Sequence, residues 1–372
     1  MPCCRRLLFV ILSIALLGGC SGRSVFAQSP ATDYQVVEVA HGLEVPWSLA
    51  FAPDGRILVT ERPGRLRVIA GGQLQAKPLF TFPEISSRSE EGLMGLALHP
   101  AFSTNHWLYV SYATKRNGAM VVDVVRYRET GTTLVEPKTI VAGLPASQNH
   151  AGCRLKFGRD GKLYVTTGDA TQRDLAQRLD SLAGKILRVN DDGSIPSDNP
   201  WKGSPIWIYG SRNSQGIDWD PVSGLLFETE HGPSGFDGPG GGDEVNIIER
   251  GANYGWPVVH HRAAHEGMVS PLLEYTPALA PSGAAFYRGH AIARFENDFF
   301  FATLRGEHLH RVVLDPRDRR KVAREEQLLT GYGRLREVIM GPDGALYVTT
   351  SNRDGRGSPA KTDDRILKIV PR

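Results

Sequence analysis

LKFGRDGKLYVTT, residues 155–167, is the stretch of sequence that decides the fold. It joins a short apolar segment to an Asp-Gly turn and then to a segment rich in β-branched and aromatic residues, which is the signature of a β-hairpin. The combination recurs at spacings of about 45 to 75 residues, and its six copies begin at residues 47, 95, 155, 217, 283 and 338. A hairpin repeated with this period is typical of a propeller blade, so the sequence predicts an all-β fold, a six-bladed β-propeller.

Two strand-like segments stand outside the six hairpins, one at each end of the pattern. They are YQVVEV at residues 34–39 and RILKIV at residues 365–370. Pairing them in one blade would close the ring and protect the sheet edges. We therefore expect residues 34–372 to form a single propeller domain, with a β-sandwich or two β-domains as the alternative. Residues 173–182 are expected to form the only short helix.

The overall composition agrees with one large β-domain and argues against nucleic acid as a partner. The 372 residues include 41 Gly and 24 Pro, and 41% are apolar, which suits many short strands joined by turns. The formal net charge is only +3, and the basic residues are scattered along the chain. We therefore expect no binding to DNA or RNA.

The first residues predict an export signal. MPCCRR is followed by an apolar segment at residues 7–17, which is too short to span a bilayer. LGGC, ending at Cys20, resembles a bacterial lipobox, whereas VFA at residues 25–27 resembles a signal peptidase site. We expect residues 1–27 to direct export. The mature protein is then either periplasmic or held in the bacterial envelope by a lipid on Cys20, which is its only expected contact with a membrane.

Four segments at the edges of the hairpins concentrate polar and charged residues. They lie at residues 149–150, 210–216, 230–244 and 334–336. Corresponding edges of successive blades meet around the central channel of a propeller, so residues distant in sequence can converge there on one ligand. The sequence therefore predicts a binding site at one end of the channel.

His150 and a pair of arginines have the clearest chemistry in these segments. His150 stands just ahead of a hairpin, where a histidine could take a proton from a hydroxyl group; the alternative is a hydrogen-bonded loop histidine. Arg334 and Arg336 are two residues apart and so share one face of an extended strand, where two guanidinium groups could bind carboxylates. Taken singly, each would be interpreted as a solvated surface arginine.

In combination, the motifs resemble the soluble pyrroloquinoline quinone (PQQ) dependent glucose and sorbosone dehydrogenases, and in particular the aldose sugar dehydrogenase branch. The resemblance extends from about residue 45 to residue 370. The motifs, in the order of the family, are HAGCR (150–154), RNSQG (212–216), EHGP (230–233), DEVN (243–246), NYGWP (253–257), APS (280–282) and RLR (334–336).

The resemblance implies a PQQ- and Ca²⁺-dependent enzyme that oxidises an aldose sugar at C1 to the lactone and passes electrons to an external acceptor. It makes His150 the general base for the anomeric hydroxyl, while C1 delivers hydride to the quinone. Arg212 and Asn213 are implied to contact the quinone, and Arg212 also to stabilise the oxyanion that develops on it. The residues implied to bind the cofactor carboxylates are Arg305, which replaces a lysine of the family, Arg334 and Arg336.

Two Ca²⁺ sites are also implied by the resemblance. Backbone carbonyls of Gly232 and Pro233 would hold the ion at the quinone, although Gly-Pro taken alone is typical of a simple turn. A second, structural ion would be bound at Glu244 and Tyr254.

Three positions on the expected substrate side depart from the family pattern. Glu90 stands where the family commonly has glutamine, and Asp174 lies close to another such position. Both carboxylates are expected to change the sugar preference or the pH range, unless they are solvated loop residues. Asn149 takes the place of an aspartate that often orients the histidine, and an amide cannot stabilise an imidazolium by charge.

Two other functions remain as alternatives. A Ca²⁺-dependent propeller lactonase would need carboxylates at the metal, whereas this chain concentrates arginines. A non-catalytic envelope propeller that binds sugars or proteins would need neither the histidine nor the arginines in family order.

The glycine-rich residues 235–242 resemble a phosphate-binding loop only in their glycine content. They lack the Lys-Ser/Thr ending and a following helix. We expect them to form a flexible loop over the site.

Overall fold

Six antiparallel β-sheets make up the fold of residues 33–372, which are the residues that the computed structural model describes. The export signal predicted for residues 1–27, with Cys20, lies outside the described residues. Each sheet is one blade, built from strands that follow one another in the chain in five of the six cases. The arrangement confirms the predicted six-bladed β-propeller.

The first three blades use the first half of the described chain, after an initial strand β1 (Tyr34–Ala40). Blade 1 consists of β2 (Pro46–Phe51), β3 (Ile57–Glu61), β4 (Arg65–Ala70), β5 (Gln73–Leu74) and β6 (Phe80–Thr81). Blade 2 consists of β7 (Leu93–Leu98), β8 (Trp107–Arg116), β9 (Ala119–Glu129) and β10 (Leu134–Pro145). Blade 3 consists of β11 (Leu155–Phe157), β12 (Leu163–Thr166), β13 (Lys185–Val189) and β14 (Ile206–Tyr209).

The remaining three blades complete the ring. Blade 4 consists of β15 (Ser214–Trp219), β16 (Leu226–Glu230), β17 (Asp243–Ile248) and β18 (Leu273–Tyr275). Blade 5 consists of β19 (Pro281–Phe286), β20 (Phe299–Thr303), β21 (Leu309–Leu314) and β22 (Val322–Leu328). Blade 6 consists of β23 (Leu335–Met340), β24 (Leu346–Thr350), β25 (Ile366–Pro371) and β1. β1 pairs antiparallel with β25, so the predicted pairing of the terminal segments is confirmed.

Apolar side chains fill the six interfaces between neighbouring blades. Each of six buried clusters draws its residues from adjacent sheets. One of them packs Leu49 and Val59 of blade 1 against Ile366 of blade 6 and so closes the ring. A β-sandwich would have a single core between two sheets, so this ring of clusters excludes that alternative.

The helix predicted for residues 173–182 is only partly present. A 3₁₀ turn covers Arg173–Gln177, and the prediction is wrong beyond it. Lys185 accounts for the early end, because its Nζ donates hydrogen bonds to the carbonyls of Leu175 and Ala176, which a longer helix would use. The other helical segments within residues 33–372 are α1 (Phe102–Asn105) and a 3₁₀ turn at Ala293–Phe295, and no described helix is long and apolar enough to cross a bilayer.

The innermost strands β2, β7, β11, β15, β19 and β23 surround the central channel. Residues of all six strands line a cavity of about 430 Å³. Arg154, just ahead of β11, donates hydrogen bonds to Glu337 of β23 and to Ser48 of β2, and so links three blades across the channel. Gly283 is required beside this link, because a Cβ there would lie 2.2 Å from Glu337.

Candidate cofactor and active site

A second cavity, of about 190 Å³, lies at the end of the channel where the inner strands begin. Its lining includes residues from all six blades and their connections, from Trp47 of β2 to Arg356 after β24. The predicted site residues that line it are Glu90, Gly232, Pro233, Arg305, Arg334 and Arg336. The structure therefore brings together, at one end of the channel, segments that the sequence separates by more than 200 residues.

His150 is held by two residues to which the sequence assigned no role. Its Nδ1 lies 2.7 Å from Asp169 Oδ1, and Asp169 Oδ2 accepts a hydrogen bond from Trp256 Nε1 at 2.9 Å. Because a carboxylate only accepts hydrogen bonds, the pairing places the ring proton on Nδ1 and leaves Nε2 able to take a proton. The arrangement is suited to general-base catalysis.

Asn149, the residue expected beside the histidine in the orienting position, makes its hydrogen bonds elsewhere. Its Oδ1 accepts from Ser89 Oγ at 3.0 Å and from Arg356 Nη2 at 3.3 Å. The expectation that an amide stands in the orienting position is therefore corrected. Asp169 supplies a carboxylate, which can stabilise an imidazolium by charge.

The glycine-rich residues 235–242 lie over His150. The ring of Phe236 is stacked on the His150 ring with centroids 6.0 Å apart. His150 is only 4% exposed, whereas Phe236 is 67% exposed. Phe236 therefore covers one face of the His150 ring.

Arg212 is held by three residues between positions 231 and 237. Its Nε donates to Asp237 Oδ2 at 2.8 Å, its Nη1 to the carbonyl of His231 at 3.1 Å and its Nη2 to Ser234 Oγ at 2.9 Å. Arg212 is 1% exposed. A ligand that binds this guanidinium at Nε must therefore displace Asp237.

Three arginines line one side of the cavity and differ in their ionic partners and their exposure. Arg334 is held by Asp354 Oδ2 at 2.8 Å, and Arg305 is exposed. Arg336 is 5% exposed, donates only to Ser351 Oγ at 3.3 Å, and forms no salt bridge within residues 33–372. Burial lowers the pKa of Arg336 to about 10. A buried guanidinium without an ionic partner is suited to binding an anion.

Two buried polar atoms near the cavity also lack partners. Asn213 Nδ2 and His231 Nε2 make no hydrogen bond to any residue that the structure describes. Burial lowers the pKa of His231 to about 4, so its ring is neutral at pH 7. A buried polar atom without a partner costs free energy, which a bound ligand can recover.

Glu90 carries a permanent negative charge at the cavity. Burial opposes its ionisation, but His231, the Arg356 guanidinium and the His150 backbone N–H together lower the pKa of Glu90 to about 2. Its side chain is 24% exposed. The carboxylate is therefore ionised throughout the neutral and mildly acidic range.

Asp174 lies outside the cavity. Its side chain is 89% exposed on the 3₁₀ turn, and Arg173 Nε is 3.8 Å away. The sequence offered two interpretations of Asp174, and this placement agrees with that of a solvated acidic loop residue.

Gly232 and Pro233 line the cavity, and the first of them can only be glycine. A Cβ on Gly232 would lie 2.2 Å from the carbonyl oxygen of Gly242. The Pro233 carbonyl accepts a hydrogen bond from Gly241 N–H at 3.2 Å. Gly232 therefore offers the freer of the two carbonyls implied as Ca²⁺ ligands.

Glu244 belongs to a buried acidic cluster on blade 4. Glu230 of β16 lies directly opposite it on β17, and Glu228 shares the same face. Glu228 Oε1 and Glu230 Oε2 are buried and have no hydrogen-bond partner in the described part of the chain. Burial raises the pKa of all three carboxyl groups. Tyr254 contributes no free hydroxyl, since it donates to the Ile247 carbonyl at 2.7 Å. Three buried carboxylates are a donor set that fits a hard cation.

Several residues of the site were missed from the sequence. The Glu-Thr-Glu pattern in β16 indicated two of them, because residues two apart on a strand share a face. Asp237 and Arg356 lie in irregular loops, for which the sequence gives no register. The missed residues are Asp169, Glu228, Glu230, His231, Phe236, Asp237, Trp256 and Arg356.

Comparison with known proteins identifies the family. The family model "Glucose / Sorbosone dehydrogenase" matches residues 43–363. Aldose sugar dehydrogenase YliI of Escherichia coli (strain K12) is 31% identical, over 95% of this chain and 96% of that protein. Quinoprotein glucose dehydrogenase B of Acinetobacter calcoaceticus is 29% identical, over 93% of this chain and 91% of that protein. The structure of the PQQ-bound aldose sugar dehydrogenase of Streptomyces coelicolor, 34% identical, matches with a TM-score of 0.80 over 92% of this chain and 99% of that chain. The chain therefore belongs to the glucose/sorbosone dehydrogenase family of sugar-oxidising enzymes.

Proposed function

We propose that the protein oxidises aldose sugars at C1 to the lactone with PQQ and Ca²⁺ and passes the electrons to an external acceptor. The observation that carries the proposal is Arg336, a buried guanidinium without an ionic partner in the described chain, in the same cavity as Arg305 and Arg334. PQQ is a planar tricarboxylate, and planar guanidinium groups pair with carboxylates through two bonds. The Streptomyces coelicolor relative, whose structure contains PQQ, supports this choice.

The residues present fit this cofactor. Arg305, Arg334 and Arg336 would hold its carboxylates. Asn213 Nδ2 and His231 Nε2, which lack partners in residues 33–372, would satisfy their hydrogen-bonding capacity on its polar groups. When bound, PQQ supplies the hydride acceptor and Ca²⁺ its polarisation.

His150 would remove the proton from the anomeric hydroxyl. Asp169 holds the ring proton on Nδ1, so Nε2 is the accepting atom. As the proton transfers, Asp169 stabilises the imidazolium by charge, and Trp256 keeps the carboxylate in place.

Two groups of oxygen atoms would hold Ca²⁺. Gly232 and Pro233 line the cavity, and their carbonyls would hold the ion of the cofactor site. Glu244 would hold a structural ion together with Glu228 and Glu230, whose unpartnered oxygens a cation would satisfy.

We also propose that the protein is exported to the bacterial envelope, as the n-region and apolar segment of residues 1–17 suggest. Fractionation of cells that produce the Cys20→Ala variant tests the lipid anchor. Loss of membrane association supports lipidation, and an unchanged periplasmic protein beginning at Gln28 contradicts it.

Reconstitution of the apoprotein tests the enzymatic proposal. Dye-linked oxidation of aldoses should appear only when PQQ and Ca²⁺ are both supplied, and NAD(P) should not replace PQQ. Arg336→Ala should weaken PQQ binding by about 1.5 to 3 kcal/mol, the loss of a charge-assisted hydrogen bond, with kcat partly restored by excess PQQ. His150→Gln should lower kcat by about 10²-fold or more while PQQ still binds. Oxidation that survives chelation and removal of the cofactor contradicts the proposal.

A further inference from the structure

The substrate side of the cavity carries a fixed pair of opposite charges. Glu90 and Arg356 both line the cavity, and Arg356 Nη1 donates to Glu90 Oε1 at 2.8 Å. The other oxygen of Glu90 accepts the backbone N–H of His150 at 3.0 Å. Glu90 is therefore a carboxylate of the cavity wall that is bonded to the main chain of the proposed base.

Arg356 differs from Arg334 and Arg336 in its partners and its exposure. Its side chain is 52% exposed, and besides Glu90 it contacts only Asn149 Oδ1 at 3.3 Å and Ser89 Oγ at 3.5 Å within the described residues. These three partners all lie on the His150 side of the cavity. Arg356 is thus a cation next to the substrate, held in place by Glu90.

A pyranose is small enough that its C6 group also lies close to the charges of Glu90 and Arg356. In a pyranose, C5 is joined to C1 through the ring oxygen, so a carboxylate at C6 stays within the small cavity when C1 is at the base. Such a carboxylate would meet the ionised Glu90 at short range, in a site of reduced dielectric where repulsion between like charges is strong. Arg356 would offset this repulsion only in part, because its single positive charge is already balanced by the Glu90 carboxylate.

We infer that the Glu90–Arg356 pair makes the site selective for neutral aldoses over the corresponding C6 acids, the uronates. Glu90 repels the carboxylate and also occupies the cation that would bind it. Arg356 in turn holds the Glu90 carboxylate beside His150. The inference rests on the proposed function and names the substrate class of that same site.

The experiment measures selectivity rather than activity alone. The reconstituted enzyme is assayed with D-glucose against D-glucuronate and with D-galactose against D-galacturonate, and the ratio of kcat/KM for acid to neutral sugar is compared among variants. Glu90→Gln keeps the shape of the side chain but removes its charge and frees Arg356, so the ratio should rise about tenfold or more. In the double variant Glu90→Gln/Arg356→Ala the gain should be lost, because the attracting cation is gone.

Glu136→Gln is the matched control. Glu136 is an exposed carboxylate on β10 that pairs with Arg128, so its substitution changes the net charge of the protein by the same amount, away from the cavity. Its selectivity ratio should equal that of the wild type.

The outcomes separate this inference from the proposed function. A ratio unchanged by Glu90→Gln, or a wild type that oxidises uronates as well as aldoses, overturns the inference but leaves the function standing. A wild type that oxidises no aldose contradicts the function itself. If the Glu90→Gln enzyme turns over neither sugar, titration calorimetry decides the matter: uronate binding gained over the wild type supports the inference, and no gain overturns it.

Discussion

At the scale of the residue, the orientation of His150 shows what sequence neighbours can and cannot reveal. The sequence drew attention to Asn149, the preceding residue, whereas the structure pairs the ring with Asp169. The register of the β11–β12 hairpin places Leu155 opposite Val165. Continued outward, the same register brings residue 150 opposite residue 170, next to Asp169. The sequence therefore predicts His150 as a candidate base, whereas its partner follows only from the register of the strands.

The Asp169→Asn variant tests whether Asp169 orients the His150 ring for proton transfer or only supports the fold. The amide can donate to the ring, which would favour the tautomer with the proton on the wrong nitrogen, so kcat should fall by about 10²-fold or more. PQQ binding should be kept, because the Asp169 side chain is bonded to His150, Thr171 and Trp256 and forms no salt bridge with an arginine of the described chain. Steady-state kinetics and an absorbance titration with PQQ measure the two effects. Asp180→Asn, an exposed change in the same connection, should behave like the wild type.

Glu90 should also leave a signature in the pH dependence of stability. Its pKa is lowered from 4.5 to about 2 by the folded structure. A carboxyl group with a depressed pKa stabilises the fold fully above its unfolded pKa, and this contribution is lost as the pH falls through the folded value. The difference in free energy of unfolding between the wild type and Glu90→Gln should therefore be larger at pH 6 than at pH 3, as measured by urea denaturation. A difference independent of pH would contradict the assigned charge.

At the scale of the element, the inner hairpins were predictable, whereas among the outermost strands only β1 of blade 6 was predicted. The inner strands are buried on both faces and read as short apolar runs, as β19 does. The outer β22, with sequence VAREEQL, is mostly exposed and shows no such pattern. Its position follows only from its pairing with β21. Burial on both faces, rather than strand propensity, therefore made a strand such as β19 easier to predict than β22.

The loop over the site gives a prediction at the same scale. Asp237 holds Arg212 Nε, so an incoming quinone must compete with this carboxylate. Asp237→Asn replaces a charge-assisted hydrogen bond by a neutral one, and should raise the affinity for PQQ about fivefold. An absorbance titration with PQQ measures the change, with Asp180→Asn as the control. Weaker binding in Asp237→Asn would show instead that Asp237 positions Arg212 for the cofactor.

At the scale of the whole molecule, repetition predicts the ring but not the contacts across its axis. Each blade repeats one hairpin and packs its faces against two neighbours, so six copies are enough to infer closure. The link between Arg154 and Glu337 joins residues 183 positions apart, on blades 3 and 6. No repeat encodes such a pair, because each partner occurs in only one copy. The contribution of the Arg154–Glu337 link to the free energy of unfolding therefore tests a contact that only the structure reveals.

Glu337→Ala should destabilise the propeller strongly. Arg154 is 5% exposed, and without Glu337 its charge stays buried and loses its partner, a change that typically costs about 3 to 5 kcal/mol. The double variant Arg154→Met/Glu337→Leu removes both charges and replaces them with apolar side chains, so it should recover most of the loss. Urea denaturation of these two variants and of Glu136→Ala, which breaks an exposed Arg–Glu pair and should change little, measures the difference. If Glu337→Ala unfolds at the urea concentration of the wild type, the two charges are not joined across the channel, and the blades hold their ring through the six apolar interfaces alone.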